Sequence, residues 1–494
     1  MSTTHRTQEP RKTRNLLLYV SCVSCIWCLS WFGIAAAAQG PDRSQAPPLG
    51  APPQLKLPPI QKKALANGLA VWIIESHEVP LVQVNLLVQA GTGDDPQGRY
   101  GLASLTAEML DEGAGSRSAL EIADAVDYLG ASLGASSSSD ASAVRLNVPV
   151  SRLEEALPIM ADVALRPTFP QPDLDRIRQE RLTSLVQAED DPQTIVALAF
   201  ARTVFGPENR YGTGQIGTPD TLKAFTGDDL RSFHGTYYTP GNSALIVVGD
   251  VKADAVLPLV EKNFGNWKGA APSRRPVAAA PQLAKGQITI VDKPQAAQSQ
   301  IRIGWVGVAR STPDYFTLQV LNTMLGGSFS SRLNQNLREA HGYAYGAGST
   351  FDIRLSPGAF FSAAGVQTDK TAEALREFFN ELNGMLKPLP AEELARVKNY
   401  VALGFPAEFE TMGELARHVE ELIVYKLPDG YFENYIKNIN AVTAADVQKA
   451  AAKYIQPSKF AVVVVGDRKV IEAPVRALNL GPVRVIGVEE ALGW

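Results

Sequence analysis

Tyr237-Tyr-Thr-Pro240-Gly-Asn-Ser-Ala244-Leu-Ile-Val-Val-Gly249-Asp250 returns 217 positions later as Tyr454-Ile-Gln-Pro457-Ser-Lys-Phe-Ala461-Val-Val-Val-Val-Gly466-Asp467. Each copy runs from a proline turn into a short apolar, β-branched segment that stops at Gly-Asp, the pattern of a strand closed by a turn. A second echo stands 220 positions apart, where Pro170, Leu174, Arg176 and Ile177 are matched by Pro390, Leu394, Arg396 and Val397. Two matches at nearly one offset point to a duplicated domain, because chance does not preserve both order and spacing. The implied fold class is α+β: two similar domains, each with strands and helices in blocks, facing each other across a linker and enclosing a cavity.

Outward from these anchors, Asn67-Gly68 opens a pair of strands at 69–75 and 82–88. Helices are expected at 100–112, ended by Gly113, and at 120–129, then a serine-rich turn at 136–139 and a strand at 144–148. Two more helices, 152–165 and 173–188, lead through Pro192 into further helical sequence and the strand 244–248. The Ala- and Pro-rich stretch 268–286 reads as the linker. The expected division is a leader 1–38, a tether 39–59, a first domain 60–267, the linker, a second domain 287–480 and a tail 481–494.

With 494 residues, 45% hydrophobic and 20% charged, the chain is long enough for more than one packed core and too apolar for a disordered protein. Arg6, Arg11, Lys12 and Arg14 precede an apolar run at 16–34 and then Ala35-Ala-Ala-Ala38, a signal-peptide layout that predicts cleavage near Ala38 and a periplasmic or secreted protein. The same run is long enough for an uncleaved N-terminal membrane anchor. Cys22, Cys25 and Cys28 all fall in this leader, so the mature chain has no thiol for a disulfide or a metal. Seven prolines between Pro41 and Pro59 predict an extended tether. Removing 1–38 takes four basic residues and Glu9 from the 47 Lys plus Arg and 51 Asp plus Glu, leaving a net charge of −7. No basic block is left, and a nucleic-acid partner is not expected.

The densest chemistry lies in Gly326-Gly-Ser-Phe-Ser-Ser-Arg332-Leu-Asn-Gln-Asn-Leu-Arg338-Glu-Ala-His-Gly342-Tyr-Ala-Tyr345. Ser330 or Ser331 can cap a helix that carries Leu333 and Leu337 on one face and ends at Gly342. Alternation then runs toward Phe351, which puts Arg338 in the last helical turn and Tyr345 at the start of a strand. A guanidinium and a phenol converging there suit a carbonyl that becomes an oxyanion. From spacing alone, an Arg paired with Glu339 and a Tyr packed in a sheet fit as well. Gly326 and Gly327 lack the strand and Lys context of a phosphate loop and read as backbone freedom near a substrate or partner.

With the Glu189-Asp-Asp-Pro192 run, Ser331-Arg-Leu, Leu337-Arg-Glu and Gly342-Tyr-Ala-Tyr345, the chain resembles the insulinase/pitrilysin (M16) zinc peptidases in their short two-domain form over nearly all of 60–480. The resemblance implies that Arg338 and Tyr345 contact substrate near the scissile bond. It also implies a zinc site, His-x-x-Glu-His, on the helix after Gly101-Leu102-Ala103 with a Glu on a later helix. Here those positions are Ser104, Ala107, Glu108 and Ser184, so every zinc ligand and the general base are missing. The five histidines, His5, His77, His234, His341 and His418, offer no pair within helical reach. Ser104 is a poor nucleophile beside a solvated Glu108, and Glu78, Asp94 and Asp95 read as solvated loop charges. His341 reads as a solvated helix-end residue or a substrate contact. The expectation is a metal-free subunit whose partner carries His-x-x-Glu-His and the zinc, acting on peptides or unfolded segments added as a strand at a sheet edge. The alternative is an inert scaffold or peptide-holding protein of the same fold.

Overall fold

The computed structural model describes residues 55–273 and 276–494. The leader with its three cysteines, and the tether up to residue 54, lie outside the described residues. The first half contributes β1 (Gln61–Ala64), β2 (Ala70–Glu75), β3 (Leu81–Val88), the two-residue strands β4 (Gly113–Ala114) and β5 (Arg117–Ser118), β6 (Ser132–Ser137), β7 (Ser142–Pro149) and β8 (Ser243–Gly249). The second contributes β9 (Gln287–Asp292), β10 (Gln298–Val306), β11 (Ala344–Phe351), β12 (Ala359–Gln367), β13 (Ala461–Gly466) and β14 (Val483–Ile486). Two six-stranded sheets form, ordered β1-β2-β8-β3-β7-β6 and β14-β9-β13-β10-β12-β11. Apart from β1 and β14 the two orders correspond strand for strand, so the repeated sequence is the same inner strand of each sheet, β8 and β13. Each lies parallel to the strand on one side, β2 or β9, and antiparallel to that on the other, β3 or β10.

Two helices of the first half, α1 (Leu102–Glu108) and α2 (Gln171–Ala188), carry the Ser104–Glu108 face, and two others, α3 (Pro192–Phe205) and α4 (Met412–Val424), join the halves. Pro192 starts α3 behind Asp191, whose carboxylate accepts from the N–H groups of Gln193 and Thr194. A Thr411–Glu414 capping box starts α4. The halves exchange α3 and α4. Ile195, Val196, Ala199 and Phe200 of α3 pack on Val291, Val306, Val463 and Val465 of the second sheet. Ala416 and Val419 of α4 join the core with Ile74, Leu87, Ile246 and Val248 of the first sheet. Both faces of β8 and β13 are thereby covered, which is why they read as unbroken apolar runs instead of alternating ones. Each large side chain so buried stabilises the arrangement by ~1.5–3 kcal/mol, and the described residues lie in one compact unit.

Three expectations differ from what folds. Ser136 and Ser137 belong to strand β6, and the turn is confined to Ser138–Ala141, closed by the Ser138 N–H donating to the Ala141 carbonyl. Serine suits an edge strand whose outer side faces water, so its abundance did not mark a turn. Within 481–494, read as a tail, β14 pairs parallel to β9 and a short helix, Val488–Leu492, comes after it. Leu55 and Leu57, at the end of the tether, pack on the second-half core instead of spanning solvent.

Candidate functional site

The stretch 326–351 is built as a pressed loop, a helical turn and a bulged strand. Ser331 holds the N-cap position but its hydroxyl is buried without a hydrogen-bond partner. Arg332–Asn334 is α-helical and Gln335–Ala340 is a π-turn, which the local sequence did not announce. Leu333 and Leu337 are fully buried, and Gly342 ends the segment at φ 65°. β11 continues from there with a shift in register between Ala344 and Ala347, and Tyr345 stands 86% exposed at that bulge. Arg338 and Tyr345 meet: the guanidinium carbon is 5.1 Å from the Tyr345 ring centre and 4.7 Å from that of Phe329. Nε lies 3.2 Å from Glu339. Among the described residues no hydrogen bond engages Nη1 or Nη2, so the fork is held by two rings and one carboxylate with its outer donors available. His341 stacks on Tyr343 at 4.9 Å.

Phe329, 60% exposed, was missed by sequence reasoning. The available signal was a large aromatic set among Gly and Ser, where a solvated loop has no use for one. Gly326 and Gly327 have a packing reason of their own. A Cβ on Gly326 would stand 2.2 Å from the Ser349 nitrogen, and one on Gly327 2.9 Å from Asn322 Nδ2. The Ser349 N–H donates to the Gly326 carbonyl at 3.2 Å, and the Ala347 N–H to Asn334 Oδ1 at 3.3 Å. The outer side of β11 is thus covered by its own loop. The corresponding edge strand of the first sheet, β6, pairs only with β7 among the described residues.

In the first half, Asp95 is no solvated charge. Its side chain is 0% exposed and accepts from the N–H groups of Gly101 and Ala103 at 2.7 Å and from Arg210 Nη2 at 2.9 Å. Burial pushes its carboxyl up against the pull of Arg210 and those two N–H groups. The start of α1 is fixed by this buried ion pair. One turn on, Ser104 and Glu108 share a face as expected, and the space between them is filled by Arg181 of α2. Arg181 Nη1 donates to Ser104 Oγ at 3.0 Å, Nε to Glu108 Oε2 at 2.7 Å, and Nη2 to the same carboxylate. Ser104 Oγ in turn has the Gln215 carbonyl at 2.8 Å to receive its proton. Among the described residues no base reaches this hydroxyl, so it is not an activated nucleophile. Ala107 is buried, and Ser184 donates back to the Glu180 carbonyl of its own helix.

A hydroxyl, a methyl group and one carboxylate already bound to a guanidinium do not fit zinc, which takes nitrogen, thiolate or several carboxylate donors in a tetrahedron. Among the described residues no group of three His, Cys, Asp or Glu side chains is placed to hold a metal ion. The histidines serve other ends: His77 pairs with Asp250 at 2.7 Å, His234 reaches the Ala164 carbonyl at 2.9 Å and His418 the Glu408 carbonyl at 3.0 Å.

With the duplicated sheets and this geometry in view, the family models agree on one assignment. Residues 70–210 match the model described as insulinase (peptidase family M16), and 224–401 match that of the peptidase M16 inactive domain. The chain belongs to the M16 peptidase family. Among M16 relatives, an uncharacterized zinc protease of Mycobacterium leprae is 27% identical over 414 residues, covering 82% of this chain and 91% of the relative. An uncharacterized zinc protease of Mycobacterium tuberculosis is 28% identical over 437 residues, covering 86% and 96%. The M16 fold is also that of a solved peptidase M16 inactive domain from Pseudomonas fluorescens, with TM-score 0.77, 25% identity and coverage of 83% of this chain and 98% of that one. A protease from Helicobacter pylori shares the fold at TM-score 0.77 and 22% identity, covering 83% and 100%.

Proposed function

We propose that this chain is the metal-free subunit of a heterodimeric M16-type peptidase, exported to the periplasm, and that its partner carries His-x-x-Glu-His and the zinc. Bound in the partner, zinc would supply an activated water. This chain would supply Arg338 and Tyr345, a charged and a neutral donor for the peptide carbonyl as it gains negative charge. The observation that carries this reading is an asymmetry. In the first half two of the resemblance-implied ligand positions, Ser104 and Glu108, are engaged by Arg181, whereas in the second half Arg338, beside Phe329 and an exposed Tyr345, has no hydrogen bond to its outer nitrogens among the described residues. A pure scaffold gains nothing from a half-buried guanidinium set near two rings with its outer donors unpaired. Substrates would be peptides or unfolded segments; the open side of β6 suits an added strand, and the covered side of β11 does not.

The scaffold reading rests on the packing reason found for Gly326 and Gly327 and on the Arg338–Glu339 pair, both of which a structural role explains. The test is hydrolysis of a quenched fluorescent peptide library by the mature chain, by the candidate zinc-bearing partner, and by both mixed with zinc. Activity arising in the mixture, and lowered about 30-fold in kcat/KM by Arg338→Ala with Tyr345→Phe, is expected; that ratio corresponds to ~2 kcal/mol of transition-state stabilisation. No synergy, or synergy indifferent to the double substitution, supports the scaffold.

A further inference from the structure

The face shared by α1 and α2 is closed by a cation of the protein's own. Arg181 projects from α2 onto the two α1 positions, Ser104 and Glu108, that stand one turn apart. Its side chain is 7% exposed, while Glu108 remains 43% exposed, so the positive group is the inner member of the pair. We propose that Arg181 is a resident cation standing in the place of a metal: it ties α1 to α2 and keeps divalent ions out, so that restoring the missing ligands does not restore a metal site while Arg181 remains.

The reasoning is one of lone pairs and charge. A divalent ion needs lone pairs aimed at one point, and here those that face α2, on Ser104 Oγ and Glu108 Oε2, are engaged by Arg181. Ser104 Oγ accepts from Nη1, and Glu108 Oε2 accepts from both Nε and Nη2. The guanidinium is donor-only and stays charged at any physiological pH. Burial weighs against that charge, and Glu108 and, at longer range, Asp95 hold it in place. Asp95 cannot turn to serve an incoming ion, because Arg210 and two N–H groups of α1 already bind it. A second cation entering this pocket would meet a fixed like charge in a water-poor setting, where repulsion is least screened. A metal joins helices by drawing ligands inward; a guanidinium forked between a hydroxyl and a carboxylate does the same with hydrogen bonds and needs no metal supply.

Two forms of the mature chain decide the matter. One carries Ser104→His, Ala107→Glu, Glu108→His and Ser184→Glu with Arg181 retained; the other adds Arg181→Leu. Both are equilibrated with zinc chloride, dialysed, checked for native circular dichroism, and their metal counted by mass spectrometry. The expected result is little zinc in the first and about one ion per chain in the second. Equal uptake in the two, at any level, overturns the proposal. A separate arm leaves the native positions alone: hydrogen exchange across 102–108 and 171–188 is compared for the wild-type chain, Arg181→Met, and Arg181→Met with Glu108→Leu. Faster exchange in both helices on losing Arg181, partly reversed when Glu108 is also removed, together with indifference of the wild-type chain to a chelator, is expected. Unchanged exchange in Arg181→Met, or a wild-type chain loosened by the chelator, overturns the tie.

Discussion

Asp95→Asn is the substitution that most directly tests how α1 is held. It keeps the size of the side chain and removes its charge. In the native protein the carboxylate accepts from Gly101 N–H, Ala103 N–H, and Arg210 Nε and Nη2, at 2.7, 2.7, 3.2 and 2.9 Å. An amide has one acceptor oxygen for these four donors, and its NH2 group faces donors. Arg210, 7% exposed on its side chain, is left as a buried charge with only the Thr213 and Gly214 oxygens. Breaking a buried pair in this way costs about 3–5 kcal/mol. For a cooperative unit spanning both halves, a loss of about 4 kcal/mol lowers the thermal midpoint by roughly 4–5 °C. The assay is thermal unfolding by circular dichroism, paired with hydrogen exchange at the start of α1, where the Ala103 amide should lose protection. Adding Arg210→Met removes the stranded charge and should recover about 2 kcal/mol or more. A midpoint shift below about 2 °C, or a double variant no better than the sum of its parts, would refute the claim that this buried pair fixes the helix.

Phe200→Ala should destabilise the protein by about 3–5 kcal/mol and loosen the second sheet, although Phe200 lies in the first half; hydrogen exchange confined to β8 and its neighbours would contradict the helix exchange. Gly326→Ala should displace β11, since the new methyl would stand 2.2 Å from the Ser349 nitrogen, at a cost of about 1–3 kcal/mol read from urea unfolding; an unchanged midpoint would show that the loop yields freely. His418 is buried, and burial with the neighbouring Arg417 lowers its pKa from the ordinary 6.5 to about 4, while Glu408 and Glu421 lie 3.7 Å from its ring nitrogens. The unfolded chain therefore takes up this proton first: stability is fully present above about pH 6.5, declines below it and is lost as pH falls through about 4. His418→Gln should remove about 2 kcal/mol of that acid sensitivity, measured as the difference in midpoint between pH 7 and pH 4; identical pH profiles would overturn the assignment.

Much of the candidate site was legible because it is local. Helix end, strand start and the seven-residue step from Arg338 to Tyr345 are set by backbone periods that a short window contains, and the structure brings those two side chains together. That Ser104, Ala107, Glu108 and Ser184 do not make the His-x-x-Glu-His and distant Glu that the resemblance implies is a matter of letters alone. Duplication was equally plain, because β8 after Ser243 and β13 are apolar and their flanking turns repeat. What stands between Ser104 and Glu108 was not legible, since Arg181 is 77 positions from Ser104 and one Arg of three on a polar helix looks like any solvated charge. Asp95 was misread for the same reason: its partner Arg210 lies 115 positions away, and whether a loop carboxylate is wet or buried depends on what packs over it.

The chain's sequence, then, determined by itself the two-fold repeat, the elements with strong periods, and the inventory of groups available for chemistry. Only the tertiary structure decided which sheet each exchanged helix covers, that Gly326 presses on β11, and that the Arg181 guanidinium lies between Ser104 and Glu108. Periodicity is a property of neighbours along the chain. Burial, pairing and charge compensation are properties of neighbours in space, and those exist only once the two halves have packed.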